Sequence, residues 1–101
     1  MFEVREHREA RKERQDLPTP VREAAELVMS VLGADPHARG LTRERLKGWG
    51  KRVVLVYGTM HRGVTYRMAW EVQQPKFIAL IWAYGPHEGF YQKLNRRARR
   101  R

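Results

Sequence analysis

The sequence contains no cysteine. That excludes a disulfide framework and every zinc site built on thiolates. Its four histidines, His7, His37, His61 and His87, stand far apart, and no two of them occupy positions i and i+4 of one helix. No run approaches the roughly 18 apolar residues that a membrane-spanning helix requires. The opening Met1 to Glu6 mixes acids and bases where a secretory leader would carry an apolar segment. The expectation is a soluble, cytoplasmic chain with no metal, no cofactor and no membrane span. Acidic residues are also scarce: 11 Asp and Glu stand against 21 Lys and Arg, a net charge of +10. A field of one sign attracts polyanions and speeds their encounter without identifying them. Nucleic acid, an acidic protein and an anionic membrane all fit, as does a basic coat that serves solubility alone.

The 101 residues suit one domain, 1–101, large enough to bury roughly 60–70% of its unfolded surface. Phe2-Glu3-Val4-Arg5 alternates as a short strand does. Arg8 to Gln15 reads as an exposed, charged helix in which Ala10 is the one apolar residue. Leu17-Pro18 turns a helical corner. Thr19 then serves as N-cap and Pro20 as first-turn proline for an amphipathic helix from Pro20 to Leu32, with Val21, Ala24, Ala25, Val28, Val31 and Leu32 on its core side. Gly33 and Asp35-Pro36 stop it. Residues 34–51 are loop-like, with a basic patch of Arg43, Arg45, Lys47, Lys51 and Arg52. Three strands follow: 53–57, 64–71 and 77–84, separated by turns at 58–63 and 73–75. Their short connections imply an antiparallel meander. A terminal helix from Glu88 to Arg99 offers Phe90, Tyr91, Leu94 and Ala98 for packing, and 96–101 is a basic tail expected to fray.

The expected fold is therefore α+β: a small antiparallel sheet, made of a short N-terminal strand plus the meander, with a two-helix hairpin on one face. The other face is expected to stay open. Period two puts Val64, Tyr66, Met68 and Trp70 toward the helices, and Thr65, Arg67, Ala69 and Glu71 toward the open side. Small Ala69 leaves room for a ligand beside Arg67, and the end of the last strand delivers His87 and Tyr91 to the same region. A guanidinium stabilises charge building on a phosphate, an imidazole passes protons near neutral pH, and a tyrosine stacks on a base. Ion pairing of Arg67, helix capping by His87 and simple packing of Tyr91 are the structural alternatives.

In order and spacing, "LPTPVREAAELVMSVLGADP", "RLKG", "TYRMAW" and "AYGPHEGFYQKL" together resemble the RelE/ParE superfamily of bacterial toxin–antitoxin toxins, over most of the chain. A RelE-like member would be a ribosome-dependent mRNA endonuclease, an RNA interferase that inhibits translation and leaves a 2′,3′-cyclic phosphate. The resemblance implies Arg67 as the transition-state ligand, His87 as acid or phosphate ligand, and Tyr91 as the residue stacking on the cut nucleotide. Lys51 and Arg52 lie where other members place basic residues, and RNA contacts are expected at Lys47, Lys51, Arg52 and Arg62; the implied partners are a cognate antitoxin, the ribosome and mRNA, with a toxin–antitoxin hetero-oligomer. Val53-Val54-Leu55-Val56 departs from the lysine pair or glutamate that many active members carry at the second strand. Lys51, Glu71 and Tyr91 remain as candidate bases. The alternatives are a ParE-like inhibitor of DNA gyrase and a non-catalytic module that binds RNA or an antitoxin.

Overall fold

Val53–His61 (β3) and Val64–Gln73 (β4) pair antiparallel along their whole length in the computed structural model, which describes residues 1–37, 42–43, 53–73 and 76–99. Only Arg62 and Gly63 join them, at φ of 50° and 78°. Two positive-φ residues give the turn whose twist matches the flanking strands. The turn expected over 58–63 is thus shorter, and Gly58 belongs to a strand. Ile78–Pro86 (β5) pairs antiparallel with β4, completing the meander. Thr42–Arg43 (β2) adds an antiparallel edge beside β3.

The α+β class expected from the sequence holds, with one difference in the sheet. Glu3–Glu6 (β1) joins β5 in parallel, so the sheet is mixed, in the order β1-β5-β4-β3-β2. A parallel neighbour needs a long crossover, and here nearly the whole chain lies between the two strands. Arg8–Asp16 (α1) and Thr19–Leu32 (α2) follow β1 as the expected helical pair. Pro18 occupies the N-cap position of α2 without a side-chain cap, so Thr19 is already helical rather than its cap. Val21, Ala25, Val28 and Leu32 are buried, whereas Val31 is 45% exposed. The buried stripe is narrower than expected because spacings of 4, 3 and 4 along α2 keep one line of contact on the sheet, and Ala24 and Val31 fall on its flank.

The second face of the sheet is not open. Phe90–Arg99 (α3) covers part of it, and Val54, Val56, Ala69, Trp82, Ala83, Phe90 and Leu94 form a core there. On the first face, Ala10, Ala25, Val28 and Leu32 pack on Leu55, Met68, Trp70, Val72, Ala79, Ile81 and Tyr84. Two covered faces explain why β3 and β5 are continuously apolar instead of alternating. A bulge reconciles β5 with both cores. Ala69 pairs with Ala83 but Trp70 pairs with Ile81, so Trp82 is an extra residue. Trp82 and Ala83 consequently both serve the α3 core, while Ile81 and Tyr84 serve the other.

Past the bulge, β5 is held by side chains. The register of β1 with β5 ends at Ile81. Beyond it, the Tyr84 N–H donates to Glu13 Oε1 at 3.1 Å, Arg97 Nη1 donates to the Trp82 carbonyl at 2.7 Å, and Lys93 Nζ donates to the Tyr84 carbonyl at 2.7 Å. Glu13 also takes a two-pronged contact from Arg97, at 3.0 and 2.8 Å, and pairs with Lys93 at 2.9 Å. α3 extends through Arg99, with Arg97 only 6% exposed, so the first part of the tail expected over 96–101 is helical, and 100–101 lie outside the described residues. A second network ties the other face: the Tyr84 hydroxyl donates to Glu6 at 2.7 Å, and Arg14 bridges Glu6 to Glu26.

Burial alone would raise the Glu13 pKa, but hydrogen bonds from Arg97, Lys93 and the Tyr84 N–H outweigh it and hold the carboxyl below its ordinary value. The folded chain therefore binds this proton more weakly than the unfolded chain. Its stabilisation is complete above the unfolded carboxylate value of about 4.3 and is lost as pH falls through the lower folded value. Glu13→Gln is expected to cost about 1–3 kcal/mol by denaturant titration at neutral pH, because it removes one of the two carboxylates that pair with buried Arg97 and leaves Glu9. The difference from wild type should shrink in acid, and an equal difference at every pH would refute the assignment.

Candidate functional site

Arg67 stands on the α3 side of β4, opposite Gly58 on β3 and Gly85 on β5. Glycine on both neighbouring strands leaves the guanidinium without flanking side chains at its own level. The two positions differ in what fills the space. A Cβ at Gly58 would make only ordinary van der Waals contacts, the nearest at 3.7 Å and Arg67 Nη1 at 3.9 Å, and Gly58 itself is exposed. A Cβ at Gly85 would lie 2.7 Å from Lys93 Nζ, the ammonium that reaches across to the Tyr84 carbonyl.

His87 follows directly on β5. Its backbone N–H donates to the Thr65 carbonyl at 2.7 Å, which fixes the residue beside β4. Its Nδ1 accepts a hydrogen bond from Arg67 Nε at 3.0 Å. Tyr91, in the first turn of α3, is half-buried, edge-on to Phe90 at 5.5 Å between ring centres, and has the Arg67 guanidinium carbon 5.8 Å from its own ring centre. Three residues singled out from the sequence are therefore neighbours. His87, Glu88, Gly89, Tyr91, Gln92 and Asn95 line a shallow open cleft next to Arg67.

The remaining expectations divide. Ala69 does not leave room for a ligand, because it is completely buried under α3. The space beside Arg67 comes from Gly58 instead. Glu71 shares the strand face of Arg67 but is 5% exposed, and its Oε1 accepts the Trp82 indole N–H at 3.0 Å. It serves the α3 core and is not placed to take a proton from a substrate. Arg62 lies at the exposed tip of the β3–β4 hairpin, beyond the ladder that carries Arg67. Lys47, Lys51 and Arg52 fall outside the described residues. Among those described, no group of three or more His, Asp or Glu side chains is placed to hold a metal ion.

What the arrangement offers chemically is a guanidinium that accepts nothing and donates to an anion, an imidazole within its reach, and an aromatic face. The helix carrying that face is anchored by Lys93 and Arg97 to β5 and α1, so the Glu13 network sets where Tyr91 stands. Sequence reasoning missed Gly58, Gly85, Lys93 and Glu13. Only the strand register reveals the first two as the flanks of Arg67.

These elements define a small α+β fold shared with bacterial toxins. In particular, the fold is that of the E. coli toxin RelE. A double mutant of RelE in the free state matches with a TM-score of 0.68 at 19% identity, over 98% of this chain and 96% of that one. RelE in the intact E. coli RelBE toxin–antitoxin complex matches with a TM-score of 0.63 at 20% identity, over 87% and 99%. A RelE mutant bound to an antitoxin RelBc peptide gives 0.61 at 21% identity, over 86% and 84%. No protein-family model matches the sequence, and no curated protein sequence does.

The two glycines should respond differently to a methyl group. Gly58→Ala is expected to leave stability unchanged or raise it by up to about 1 kcal/mol. Gly85→Ala displaces the Lys93 ammonium from its charged hydrogen bonds and should cost about 1–3 kcal/mol. Thermal denaturation of both variants measures the contrast, and equal behaviour would contradict the described packing of Lys93 on Gly85.

Proposed function

We propose that this chain is a RelE-like toxin, an endoribonuclease that cuts mRNA on the ribosome and is neutralised by a cognate antitoxin. The observation that carries the reading is the adjacency of Arg67, His87 and Tyr91 beside an open flank, on the fold of RelE. The reaction is attack of a ribose 2′-hydroxyl on the adjacent phosphorus. A 2′-oxygen–phosphorus bond forms, the bond to the 5′-oxygen breaks, and a 2′,3′-cyclic phosphate remains. Arg67 stabilises the charge that builds on the phosphate oxygens. His87 delivers a proton to the departing 5′-oxygen. Tyr91 stacks on the nucleotide and fixes its orientation.

Of the three candidate bases, Tyr91 is the one next to Arg67, Glu71 is committed to the α3 core, and Lys51 is outside the described residues. The net charge of +10 supports docking on ribosomal RNA, with Arg62 at the hairpin tip as one contact and Lys47, Lys51 and Arg52 as others. The same field favours rapid capture by an acidic or amphipathic antitoxin in the cytoplasm, giving a toxin–antitoxin hetero-oligomer. The RelBE complex among the structural neighbours supports such a partner. No helix of the described residues is long and apolar enough to cross a membrane.

Induced expression of wild type, Arg67→Ala and His87→Ala in a bacterial host tests the reading. Each substitution should relieve growth arrest and lower RNA cleavage by about 10²–10³-fold, the range for losing an electrostatic stabiliser or an acid. Undiminished toxicity in both variants would remove the catalytic assignment and favour a gyrase-binding or other non-catalytic role.

A further inference from the structure

We infer that the Arg67–His87 hydrogen bond is the resting position of a partner exchange, in which an incoming phosphodiester takes Arg67 away from His87 and so lets the imidazole acquire its second proton. The inference rests on the reading of this site as a ribonuclease centre and adds a step to it.

The geometry gives the starting state. Arg67 Nε donates to His87 Nδ1 at 3.0 Å. A guanidinium has no acceptor to offer, so Nδ1 must present its lone pair and the one ring proton of the neutral imidazole sits on Nε2. Such a ring cannot take a proton at Nε2, and its lone pair at Nδ1 is engaged. To give a proton to a leaving oxygen it must first become an imidazolium. A proton on Nδ1 would set two N–H donors and two positive charges against each other across 3.0 Å. Binding to His87 and charging of His87 are therefore mutually exclusive for Arg67.

A phosphate resolves the conflict. It accepts the guanidinium N–H groups in place of Nδ1, and its negative charge separates the two cations. Nδ1 then takes a proton from solvent. Arg67 from β4 contacts the ring, and Glu88 in the turn and Tyr91 from α3 are the titratable groups that line the same cleft as His87. The backbones stay where they are: His87 is fixed by the Thr65 carbonyl, and Arg67 is held in register with Gly85. The arginine side chain is the part that moves, and exposed Gly58 beside Nη1 puts no side chain in its way. When Nε2 passes its proton to the 5′-oxygen as the phosphorus–oxygen bond breaks, the ring is left with its remaining proton on Nδ1. That tautomer cannot accept from Arg67, so the resting bond re-forms only after the ring loses the Nδ1 proton to water and regains one on Nε2.

Long-range ¹H–¹⁵N NMR of His87 in the full chain reads each ring nitrogen separately. In the free protein near neutral pH, Nδ1 should show an unprotonated shift and Nε2 a protonated one. Arg67→Met, with its fold checked by the backbone amide spectrum, should lose this preference and give mixed tautomers. A dinucleotide blocked by a 2′-O-methyl group at the cleavable position should convert wild-type Nδ1 to the protonated shift. A protonated Nδ1 in the free protein, an Arg67→Met spectrum like wild type, or no change at Nδ1 with saturating dinucleotide each overturns the exchange. Ribosome-bound mRNA cleavage is scored separately. Intact RNA with a responding Nδ1 refutes the ribonuclease reading and leaves the exchange standing, whereas cut RNA with an unresponsive Nδ1 does the reverse.

Discussion

The Glu13 carboxylate accepts the Tyr84 N–H, holds Arg97 through both terminal nitrogens and pairs with Lys93, which makes one acidic side chain of α1 the point where α1, β5 and α3 meet. β5 needs this because β1 pairs with it only to Ile81, while its last residues lead into the candidate site. Unpaired backbone groups on a buried strand are costly, and side chains of Glu13, Arg97 and Lys93 take the place of a further strand. The arrangement also fixes α3. Lys93 lies against Gly85 and over the Phe90 ring, and Arg97 reaches the Trp82 carbonyl, so Tyr91 is held at a set distance from Arg67. In a chain with 11 acidic residues against 21 basic ones, a half-buried carboxylate with two cationic partners is a use of scarce charge that the overall field conceals.

Much of the fold is legible in the residue pattern because its signals are local. The stripe of Val21, Ala25, Val28 and Leu32, the alternation in β4 and the glycine of the β3–β4 turn each specify an element without reference to the rest. Features set by distant parts of the chain were not legible. Parallel entry of β1 depends on which edge of the meander is vacant. The bulge at Trp82 depends on two cores that must both be filled, and its effect is that a run read as a plain buried strand changes face partway. Covering of the second face by α3 follows from Phe90 and Leu94, which the sequence marks as apolar without showing what they meet. His7 illustrates the same limit. It caps α1 by accepting the Glu9 N–H at 3.2 Å and stacks on Trp82, and burial followed by the charge of Arg97 lowers its pKa, yet in sequence it is one isolated histidine.

The grouping of the candidate residues was legible, and their environment was not. Period two correctly directs Arg67 to the face away from α1 and α2, and the turn after β5 delivers His87 and Tyr91 to it. Alternation along β4 points to Ala69 for room beside Arg67, whereas the exposed glycine beside it is Gly58 across the ladder. Glu71 was a candidate base by position alone, and its burial against Trp82 removes it. Both errors have one cause: strand alternation states which face a residue occupies, while cross-strand register and the helix above decide what that face meets.

The account stands on RNA cleavage by a chain with the RelE fold. Mapping 2′,3′-cyclic phosphate ends in cellular RNA shortly after induction tests it most directly. The expected result is new ends within codons of ribosome-bound mRNA, absent when Arg67 and His87 are both replaced. Intact mRNA accompanied by DNA breaks would contradict it and make the chain an inhibitor of a different machine.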